Sequence, residues 1–291
     1  MKKYLIVGAS GFVGSNIFKI LPSKIDLTII TSKKNKILKL LEKKNFSNIL
    51  IKNYYYISKK NKKILENYDI IINSTGAYPK NKNNKKLIFL NYKLPKLLYD
   101  LSSGNTYKKF ININTMLRNR KKTYVKFKHK LSDYLKKKNK GSTHVIDLHI
   151  SHLYGDPNHD KEFISDVINK IVKKKKILKV TKGLQKRDFL HILDFQNFFI
   201  KVLKFRPKKK YTRFEIGNYE SHSIKSIILF LKKITFSDID IKFGEIKYKK
   251  NEEFLMKCNI KTLTNTIKWK PKIDIFTGIK TLLKNINDKN Y

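Results

Sequence analysis

A tyrosine and a lysine four residues apart, Tyr124 and Lys128, are the residues of this 291-residue sequence best suited to acid–base chemistry. The spacing places both side chains on one face of a predicted helix, one turn apart. The pKa of a phenol is about 10, and a nearby ammonium group lowers it by favouring the phenolate. Such a pair can deliver a proton to a carbonyl that is being reduced. Tyr92 and Lys96 share the spacing, so position in the chain must identify the reactive pair.

A glycine-rich segment near the amino terminus predicts a phosphate-binding turn. It follows the apolar run Tyr4–Val7 directly and precedes a helical pattern. Gly8 permits a tight turn, Gly11 lets backbone amides approach a pyrophosphate, and Gly14 lets helix and strand pack closely. The amino terminus of the helix then faces the phosphates. We therefore predict a dinucleotide site that includes Gly8, Ser10, Gly11, Phe12, Val13 and Gly14.

The end of the second predicted strand indicates which nicotinamide cofactor is bound. A carboxylate at this point would accept hydrogen bonds from the adenosine ribose. The sequence instead continues Thr31, Ser32, Lys33, Lys34, with no acid. Hydroxyl and ammonium groups suit a 2′-phosphate, so we predict that Thr31, Ser32 and Lys33 bind it. NADP(H) is the preferred cofactor and NAD(H) the alternative.

The elements that must position these residues alternate between strand and helix as far as residue 150. This alternation predicts an α/β fold with a doubly wound parallel sheet of the Rossmann type. After residue 151 the pattern loosens, which predicts a smaller α+β substrate domain at the carboxyl edge of the sheet. We predict a dinucleotide-binding domain of residues 1–152 with 188–218, and a substrate domain of residues 153–187 with 219–291.

Composition excludes several classes of protein. Hydrophobic residues make up 41% of the chain, which is enough for a core and excludes a disordered protein. Cys258 is the only cysteine, so a disulfide scaffold is excluded. We find no apolar run long enough to span a membrane and no signal-peptide core, and therefore expect a cytoplasmic protein with no membrane partner. The seven histidines show no ligand spacing with carboxylates, and we expect no metal.

The charge is strongly basic, with 66 Lys and Arg against 22 Asp and Glu and a net charge of +44. This excess alone would point to nucleic acid. However, five of the 66 basic residues are arginine, which leaves 61 lysines spread along the whole chain. Readers of nucleic acid usually need arginine forks on one face. We therefore interpret the charge as a compositional drift toward lysine and expect no specific nucleic-acid partner.

The order of the motifs resembles the extended short-chain dehydrogenase/reductase family, including its NAD(P)-dependent epimerases and dehydratases. The glycines stand three residues apart, and Thr115 ends a strand before the helix that carries Tyr124 and Lys128. The resemblance implies that Thr115 holds the substrate carbonyl, Tyr124 supplies the proton and Lys128 also holds the nicotinamide ribose. Thr115 and Tyr124 are only nine residues apart, whereas many family members have a much longer loop there.

Further motifs extend the resemblance to enzymes that act on nucleotide sugars. The segment 187–194 is similar to their R-D-F-x-H/Y-x-x-D motif, and 248–252 to Y-R-x-N-E. The resemblance implies a nucleotide-diphosphate sugar as the partner, with Arg187 and Lys249 on its phosphates, and a homodimer formed through two helices. It implies a substrate site of Tyr78, His152, Arg187 and Lys249. It adds Ser74, Thr75, Gly76 and Asn91 to the cofactor site.

The closest resemblance is to the nucleotide-sugar 4-ketoreductases of the CDP-abequose synthase type, which share the run 181–189 and the short loop before Tyr124. Sugar-nucleotide dehydratases carry an acid pair after the catalytic threonine. Here Met116 and Leu117 follow instead, which argues against a dehydratase. An NADPH-dependent reductase of a 4-keto deoxy sugar fits best. A 4-epimerase that retains NAD and a non-catalytic, RNA-binding or regulatory member of the fold remain the alternatives.

Overall fold

A computed structural model describes residues 1–42, 44–78, 84–103, 108–138, 142–156, 162–173 and 175–288. The chain forms two compact units. Unit 1 consists of Met1–His149 with Phe199–Phe214, and unit 2 of Ile150–Phe198 with Glu215–Tyr291. These bounds differ from the predicted domains mainly over residues 188–198, which lie in unit 2. The reason is that the strand at 189–191 pairs with His152–Tyr154 rather than with the large sheet.

Unit 1 is built on a seven-stranded sheet. Its strands are β1 (Lys3–Val7), β2 (Asp26–Ile30), β3 (Asn48–Lys52), β4 (Ile70–Asn73), β5 (Lys108–Thr115), β6 (Thr143–Ile150) and β11 (Tyr211–Ile216). Across the sheet they lie in the order β11-β6-β5-β4-β1-β2-β3. The pairs that join β1, β2, β3, β4 and β5 are all parallel. This confirms the Rossmann-type parallel sheet predicted from the alternation of strands and helices.

The central strands are buried on both faces. Every residue of β4 and β5 is buried, as are the last four residues of β1. Because neighbouring residues of a strand point to opposite faces, such runs need a layer of helices on each side. One face carries a core cluster that includes Leu5, Ile71, Leu98 and Phe110.

The helices of the first part of the chain follow the strands in turn. They are α1 (Phe12–Ile20), α2 (Lys34–Leu41), α3 (Lys62–Leu65), α4 (Lys85–Ile88), α5 (Leu94–Ser102) and α6 (Thr123–Lys138), with 3-10 turns at Tyr54–Tyr56 and Lys59–Asn61. Helices α4 and α5 are joined by a π turn, Phe89–Lys93, in which the Leu94 N–H bonds to the Phe89 carbonyl. Pro95 lacks an N–H and cannot continue the α-helical pattern back to residue 91. The wider turn accommodates that break.

Unit 2 combines small paired strands with helices. Its pairs are β7 (His152–Tyr154) with β10 (Phe189–His191), β8 (Ile177–Val180) with β13 (Asp240–Phe243), and β9 (Lys186–Arg187) with β12 (His222–Ser223). Its helices are α7 (Phe163–Val172), α9 (Ile224–Ile234), α10 (Lys261–Ile267) and α11 (Ile275–Asn287), while α8 (Ile192–Lys204) begins in unit 2 and ends in unit 1. Apolar faces of α7, α9 and α11 form its core cluster, with Ile168, Ile228 and Ile279 fully buried.

No helix within the described ranges has the length and apolar character needed to cross a membrane.

Two consecutive lysines at the start of β5 are buried and close the ends of helices. The Lys108 ammonium donates to the Ser102 carbonyl at 3.0 Å and to that of Glu66, at the ends of α5 and α3. The Lys109 ammonium donates to the carbonyls of Leu203 and, at 3.1 Å, Phe205, at the end of α8. A cation is favourable at a helix carboxyl terminus, where carbonyls lack partners. Lys108 and Lys109 thus stabilise the fold as buried cations that bind carbonyls at helix ends.

Replacing Lys109 by methionine is expected to lower the free energy of unfolding by about 2 kcal/mol at neutral pH, because buried carbonyls lose a charged donor. Burial, with help from the charges of Lys2 and Arg206, lowers the pKa of Lys109 to about 8. The folded state therefore binds fewer protons than the unfolded state between about pH 8 and the ordinary lysine value. The contribution of Lys109 to stability rises with pH across that window.

Urea denaturation at pH 7 and near pH 10 measures both effects. Lys204→Met, on an exposed lysine of α8, the helix whose end Lys109 binds, is the matched control and should change stability little. A Lys109→Met protein as stable as the control at both pH values would contradict the prediction.

Candidate active site

The glycine turn has the geometry that a dinucleotide phosphate requires. Gly8 has a φ of +88°, and a Cβ there would lie 2.9 Å from the Ser74 backbone. A Cβ on Gly14 would lie 2.2 Å from the Gly8 carbonyl oxygen. In contrast, a Cβ on Gly11 would meet only that oxygen, at 3.4 Å, and Gly11 is exposed. Gly11 caps α1 without a side-chain hydrogen bond, so the amino terminus of a nine-residue helix is open to a pyrophosphate. Phe12 and Val13 form its half-buried first turn.

The end of β2 is tied to this turn. The Thr31 hydroxyl donates to Ser10 Oγ at 3.1 Å and accepts from the Lys33 N–H at 3.0 Å. Thr31 is buried, whereas Ser32 and Lys33 are exposed. The Thr31 hydroxyl, which is predicted to bind the 2′-phosphate, is therefore already hydrogen-bonded within the fold. The exposed Ser32 and Lys33 remain available for that contact.

A cleft of about 410 Å³ lies at the carboxyl ends of β2 and β3. It has two lysines, Lys34 and Lys52, and no carboxylate among its lining residues, which are Thr31, Ser32, Lys34, Ile51, Lys52, Asn53 and Tyr56. Lys52 has no local signal in the sequence, because only the pairing of β2 with β3 brings the end of β3 to this edge.

The loop after β4 is held in place by the side chains of Ser74, Thr75 and Asn91. Ser74 Oγ donates to the Val7 carbonyl at 2.7 Å, and the Thr75 hydroxyl oxygen lies 2.8 Å from the Leu90 carbonyl oxygen. The buried Asn91 binds both backbone groups of Ala77, accepting at 3.2 Å and donating at 2.8 Å. The predicted cofactor residues Ser74, Thr75 and Asn91 therefore shape this loop with their side chains. Gly76 is exposed at its surface.

Lys128 lies beneath the same loop. Its ammonium donates to the Thr75 carbonyl at 2.7 Å and to the Ile113 carbonyl at 2.8 Å. A Cβ on Gly76 would lie 3.8 Å from it. Burial lowers the pKa of Lys128 to about 8, and the negative charge of Asp147 opposes that shift. The lysine is thus positioned by the cofactor loop, close to its neutral form at mildly alkaline pH.

Thr115 and Tyr124 belong to the same unit. Thr115 is buried at the end of β5, and its hydroxyl oxygen accepts from the Leu117 N–H at 3.2 Å. Tyr124 is half-buried in the first turn of α6, one turn before Lys128. The exposed Tyr78 stacks on it, with ring centroids 4.4 Å apart and an interplanar angle of 27°. The structure therefore brings Tyr78, predicted from the resemblance to contact substrate, onto the proposed proton donor.

The remaining predicted substrate residues lie in unit 2. Arg187 is buried and forms an ion pair with Glu252. Burial lowers the pKa of Arg187, while Glu252 and Glu253 raise it. Burial, reinforced by the charge of Arg187, lowers the pKa of His152 to about 4. Lys249 is exposed, three residues before Glu252 on the same segment.

Glu252 ends the segment 248–252 that is similar to a family motif, but the sequence predicts no role for it. Its pairing with Arg187 shows that the arginine already has a partly buried anionic partner. In the part of the chain that the structure describes, no group of three or more His, Cys, Asp or Glu side chains is arranged to hold a metal ion.

Two proteins of Salmonella resemble parts of the chain. CDP-abequose synthase of Salmonella typhimurium (strain LT2) is 30% identical over 144 residues, which cover 48% of this chain and 48% of that protein. CDP-paratose 2-epimerase of Salmonella typhi is 27% identical over 100 residues, covering 34% and 30%. The chain thus matches at most about half the length of these relatives.

A solved structure and a family model match over longer ranges. The UDP-glucuronic acid 4-epimerase of Bacillus cereus, in complex with UDP-glucuronic acid and NAD, superposes with a TM-score of 0.83. That match covers 99% of both chains at 19% identity, and so concerns the fold. The model of the NAD dependent epimerase/dehydratase family matches residues 4–217, well over half of the chain. The chain belongs to the NAD dependent epimerase/dehydratase family.

Proposed function

We propose that this protein is an NADPH-dependent reductase of a 4-keto deoxy sugar carried on a nucleoside diphosphate. The observation that carries the proposal is the position of Lys128. Its buried ammonium is bonded to the loop at Thr75–Gly76 and stands one turn from Tyr124. The same unit contains the open glycine turn. A proton donor and a dinucleotide cradle in one unit support reduction of a carbonyl.

The residues present fit the dinucleotide, which when bound would supply the hydride. Gly11 and the open amino terminus of α1 would hold its pyrophosphate. Lys128 would hold the nicotinamide ribose and, as an ammonium group, favour loss of the Tyr124 proton. Thr115 would orient the substrate carbonyl, and Tyr124 would protonate the oxygen of that carbonyl as it becomes a hydroxyl.

The residues after Thr115 favour reduction over elimination of water. Met116 is buried, and Leu117 is partly buried with its N–H bonded to the Thr115 hydroxyl. Neither can act as an acid or base in a dehydratase. A 4-epimerase would need no such acid, so it is the second candidate, and the likeness in fold to the UDP-glucuronic acid 4-epimerase favours it.

The cleft at the ends of β2 and β3 supports NADPH over NADH. It lacks the carboxylate that would accept hydrogen bonds from the ribose, and Lys34 and Lys52 line it. We expect the double variant Lys34→Ala/Lys52→Ala to raise the Kd for NADPH by about tenfold, because two charge-assisted contacts to a phosphate are lost.

The Kd for NADH should stay the same in that variant, since NADH lacks the 2′-phosphate. Fluorescence titration with both nucleotides measures the difference. Lys39→Ala/Lys59→Ala, on two exposed lysines outside the cleft, controls for net charge. An equal loss of affinity for NADH and NADPH, or tighter binding of NADH by the wild type, would contradict the cofactor proposal.

The nucleoside diphosphate that carries the sugar would bind to unit 2. Arg187 offers a forked donor suited to a phosphate, and a diphosphate would compete with or join Glu252 at that guanidinium. The relatives named as acting on CDP sugars make CDP the first nucleotide to test. Pairing of two copies through helices, predicted from the resemblance, stays a prediction.

Incubation with NADPH and a panel of CDP- and UDP-linked 4-keto sugars, followed by mass spectrometry, tests the function. A reductase consumes one NADPH for each product and adds two hydrogen atoms to the sugar. Inversion of a hexose without net loss of cofactor would instead establish the epimerase. A salt-sensitive gel shift with RNA, unchanged by Tyr124→Phe and without any turnover, would establish the non-catalytic alternative.

A further inference from the structure

A buried chain of hydrogen bonds starts at Lys128 and crosses the sheet beneath it. The Lys128 ammonium donates to the Thr75 carbonyl, and the Thr75 hydroxyl donates to Asn73 Oδ1 at 2.6 Å. Asn73 Nδ2 donates to Asn112 Oδ1 at 2.7 Å, and Asn112 Nδ2 donates to Asp147 Oδ1 at 2.7 Å. This half of the network joins β4, β5 and β6 and ends on a fully buried carboxylate.

The second half returns from the carboxylate to α6. Ser132 Oγ donates to Asp147 Oδ2 and accepts a hydrogen bond from Asn114 Nδ2. The same Asn114 nitrogen donates to the Lys128 carbonyl at 3.3 Å, while Asn114 Oδ1 accepts from the Thr115 N–H at 2.7 Å. One amide side chain therefore fixes the strand residue Thr115 and the helix residue Lys128 relative to each other.

The carboxylate is the negative end of this network. Burial raises the pKa of Asp147, but the charge of His149 and hydrogen bonds from His149, Ser132 and Asn112 outweigh burial and hold it well below its usual range. The Tyr211 hydroxyl also donates to Asp147 Oδ2, at 2.8 Å. Asp147 is therefore ionised at neutral pH while its side chain is fully buried.

The other titratable groups that face the network come from three elements. His149 Nε2, on β6, lies 2.8 Å from Asp147 Oδ2. Tyr211 approaches from β11, and burial followed by the charge of Asp147 raises its pKa. His129, on α6, lies with its ring 5.5 Å from that of His149. The negative charge of Asp147 raises the pKa of Lys128 and so opposes the effect of burial.

We propose that Asp147 is a positioning residue for the Tyr124–Lys128 pair. Through Ser132 and Asn114, its carboxylate holds α6 against the strand that carries the catalytic hydroxyl. Its negative charge also keeps the buried ammonium of Lys128 protonated. The functional part of this inference rests on the proposed reductase activity, but the electrostatic part concerns Tyr124 and Lys128 in the protein alone.

The electrostatic part is tested by ultraviolet titration of tyrosinate. The difference between the wild type and Tyr124→Phe isolates the titration of one tyrosine, and the same difference is measured in an Asp147→Asn background. Without the charge of Asp147, Lys128 loses its proton at lower pH and favours the Tyr124 phenolate less. We expect the Tyr124 titration to move about one unit toward higher pH in Asp147→Asn.

The catalytic part is tested by the pH dependence of kcat. Asp147→Asn should lower kcat by about tenfold, leave the affinity for NADPH unchanged and move the high-pH limb about one unit lower, because Lys128 deprotonates earlier. Ser132→Ala keeps the charge and removes the link to α6, so it should lower kcat without moving that limb.

Asp194→Asn provides the matched control. Asp194 is also a buried carboxylate, but it lies in unit 2 and accepts hydrogen bonds from the N–H groups of Lys272 and Ile273 at 2.9 and 2.8 Å. The same substitution there should lower stability and leave the Tyr124 titration at its wild-type position.

The outcomes separate the two proposals. A Tyr124 titration identical in the wild type and Asp147→Asn overturns the role of Asp147, whatever the enzyme does. If the wild type reduces no keto sugar, the proposed function fails, and the titration still decides this inference. Should Asp147→Asn not fold, Ser132→Ala decides the positioning role. A wild-type kcat in Ser132→Ala overturns that role. A reduced kcat, with the high-pH limb of its pH profile unchanged, supports it.

Discussion

Tyr124→Phe should lower kcat for reduction of a 4-keto nucleotide sugar by about a hundredfold to ten-thousandfold, the range expected when a general acid is lost. The phenylalanine ring can still stack on Tyr78, which lies 4.4 Å away between ring centroids. The site should therefore keep its shape and its affinity for NADPH. Steady-state kinetics and a fluorescence titration on the same preparation measure the two quantities.

Tyr92→Phe is the matched control, since Tyr92 and Lys96 have the same four-residue spacing. In the structure, Lys96 donates to Asp100 at 2.7 Å, and a different lysine, Lys130, lies over the Tyr92 ring at 4.8 Å. This pair is therefore not arranged for proton transfer, and the variant should keep its activity. An equal loss of kcat in Tyr92→Phe and Tyr124→Phe would contradict the assignment of Tyr124 as the proton donor.

Gly14→Ala should destabilise the protein by at least about 3 kcal/mol, because the core around this position is already filled. The new methyl group would lie 2.2 Å from the Gly8 carbonyl oxygen and 2.7 Å from Ser74 Oγ. Either α1 moves away from β1 or the glycine turn opens, and both changes disrupt the cradle. Chemical denaturation measures the loss of stability, and NADPH binding should be lost with it.

Gly11→Ala separates packing from cofactor binding at a neighbouring position. Its methyl group would meet only the Gly8 oxygen, at 3.4 Å, so stability should change little. NADPH affinity should still fall, since the added group stands where the pyrophosphate would approach the backbone. A Gly14→Ala protein as stable as Gly11→Ala would show that close approach at Gly14 is not required.

The sequence predicted the fold of unit 1 well because its signals are local. A buried apolar run, a glycine turn and an amphipathic segment can each be recognised within about ten residues of sequence. The apolar spacing predicts a helix that begins at Thr123, and α6 begins there. The same holds for two helices of unit 2. The apolar spacing predicts helices over 163–172 and 224–234, and these are the observed bounds of α7 and α9. Helix α8 was missed, although Phe195, Phe198, Phe199 and Val202 form a fully buried face.

The contacts that complete the candidate site could not be predicted in the same way, because they join distant parts of the chain. Lys52 reaches the cofactor cleft only through the pairing of β3 with β2. Asp147 meets Ser132 and Asn112 across a helix and two strands, at sequence separations of 15 and 35 residues. No periodicity marks such residues. A carboxylate inside a buried strand, as at Asp147, is the one signal that could have drawn attention to them.

The π turn at Phe89–Lys93 has a consequence for the length of this segment. Each residue of an α-helix advances the chain by about 100° around the axis, so one additional residue rotates all later side chains away from their neighbours. A π turn absorbs that residue locally, which lets α4 and α5 keep their own buried faces while Asn91 points at Ala77. Deleting a single residue here would restore a regular helix and turn the amide of Asn91 out of reach of the loop it supports.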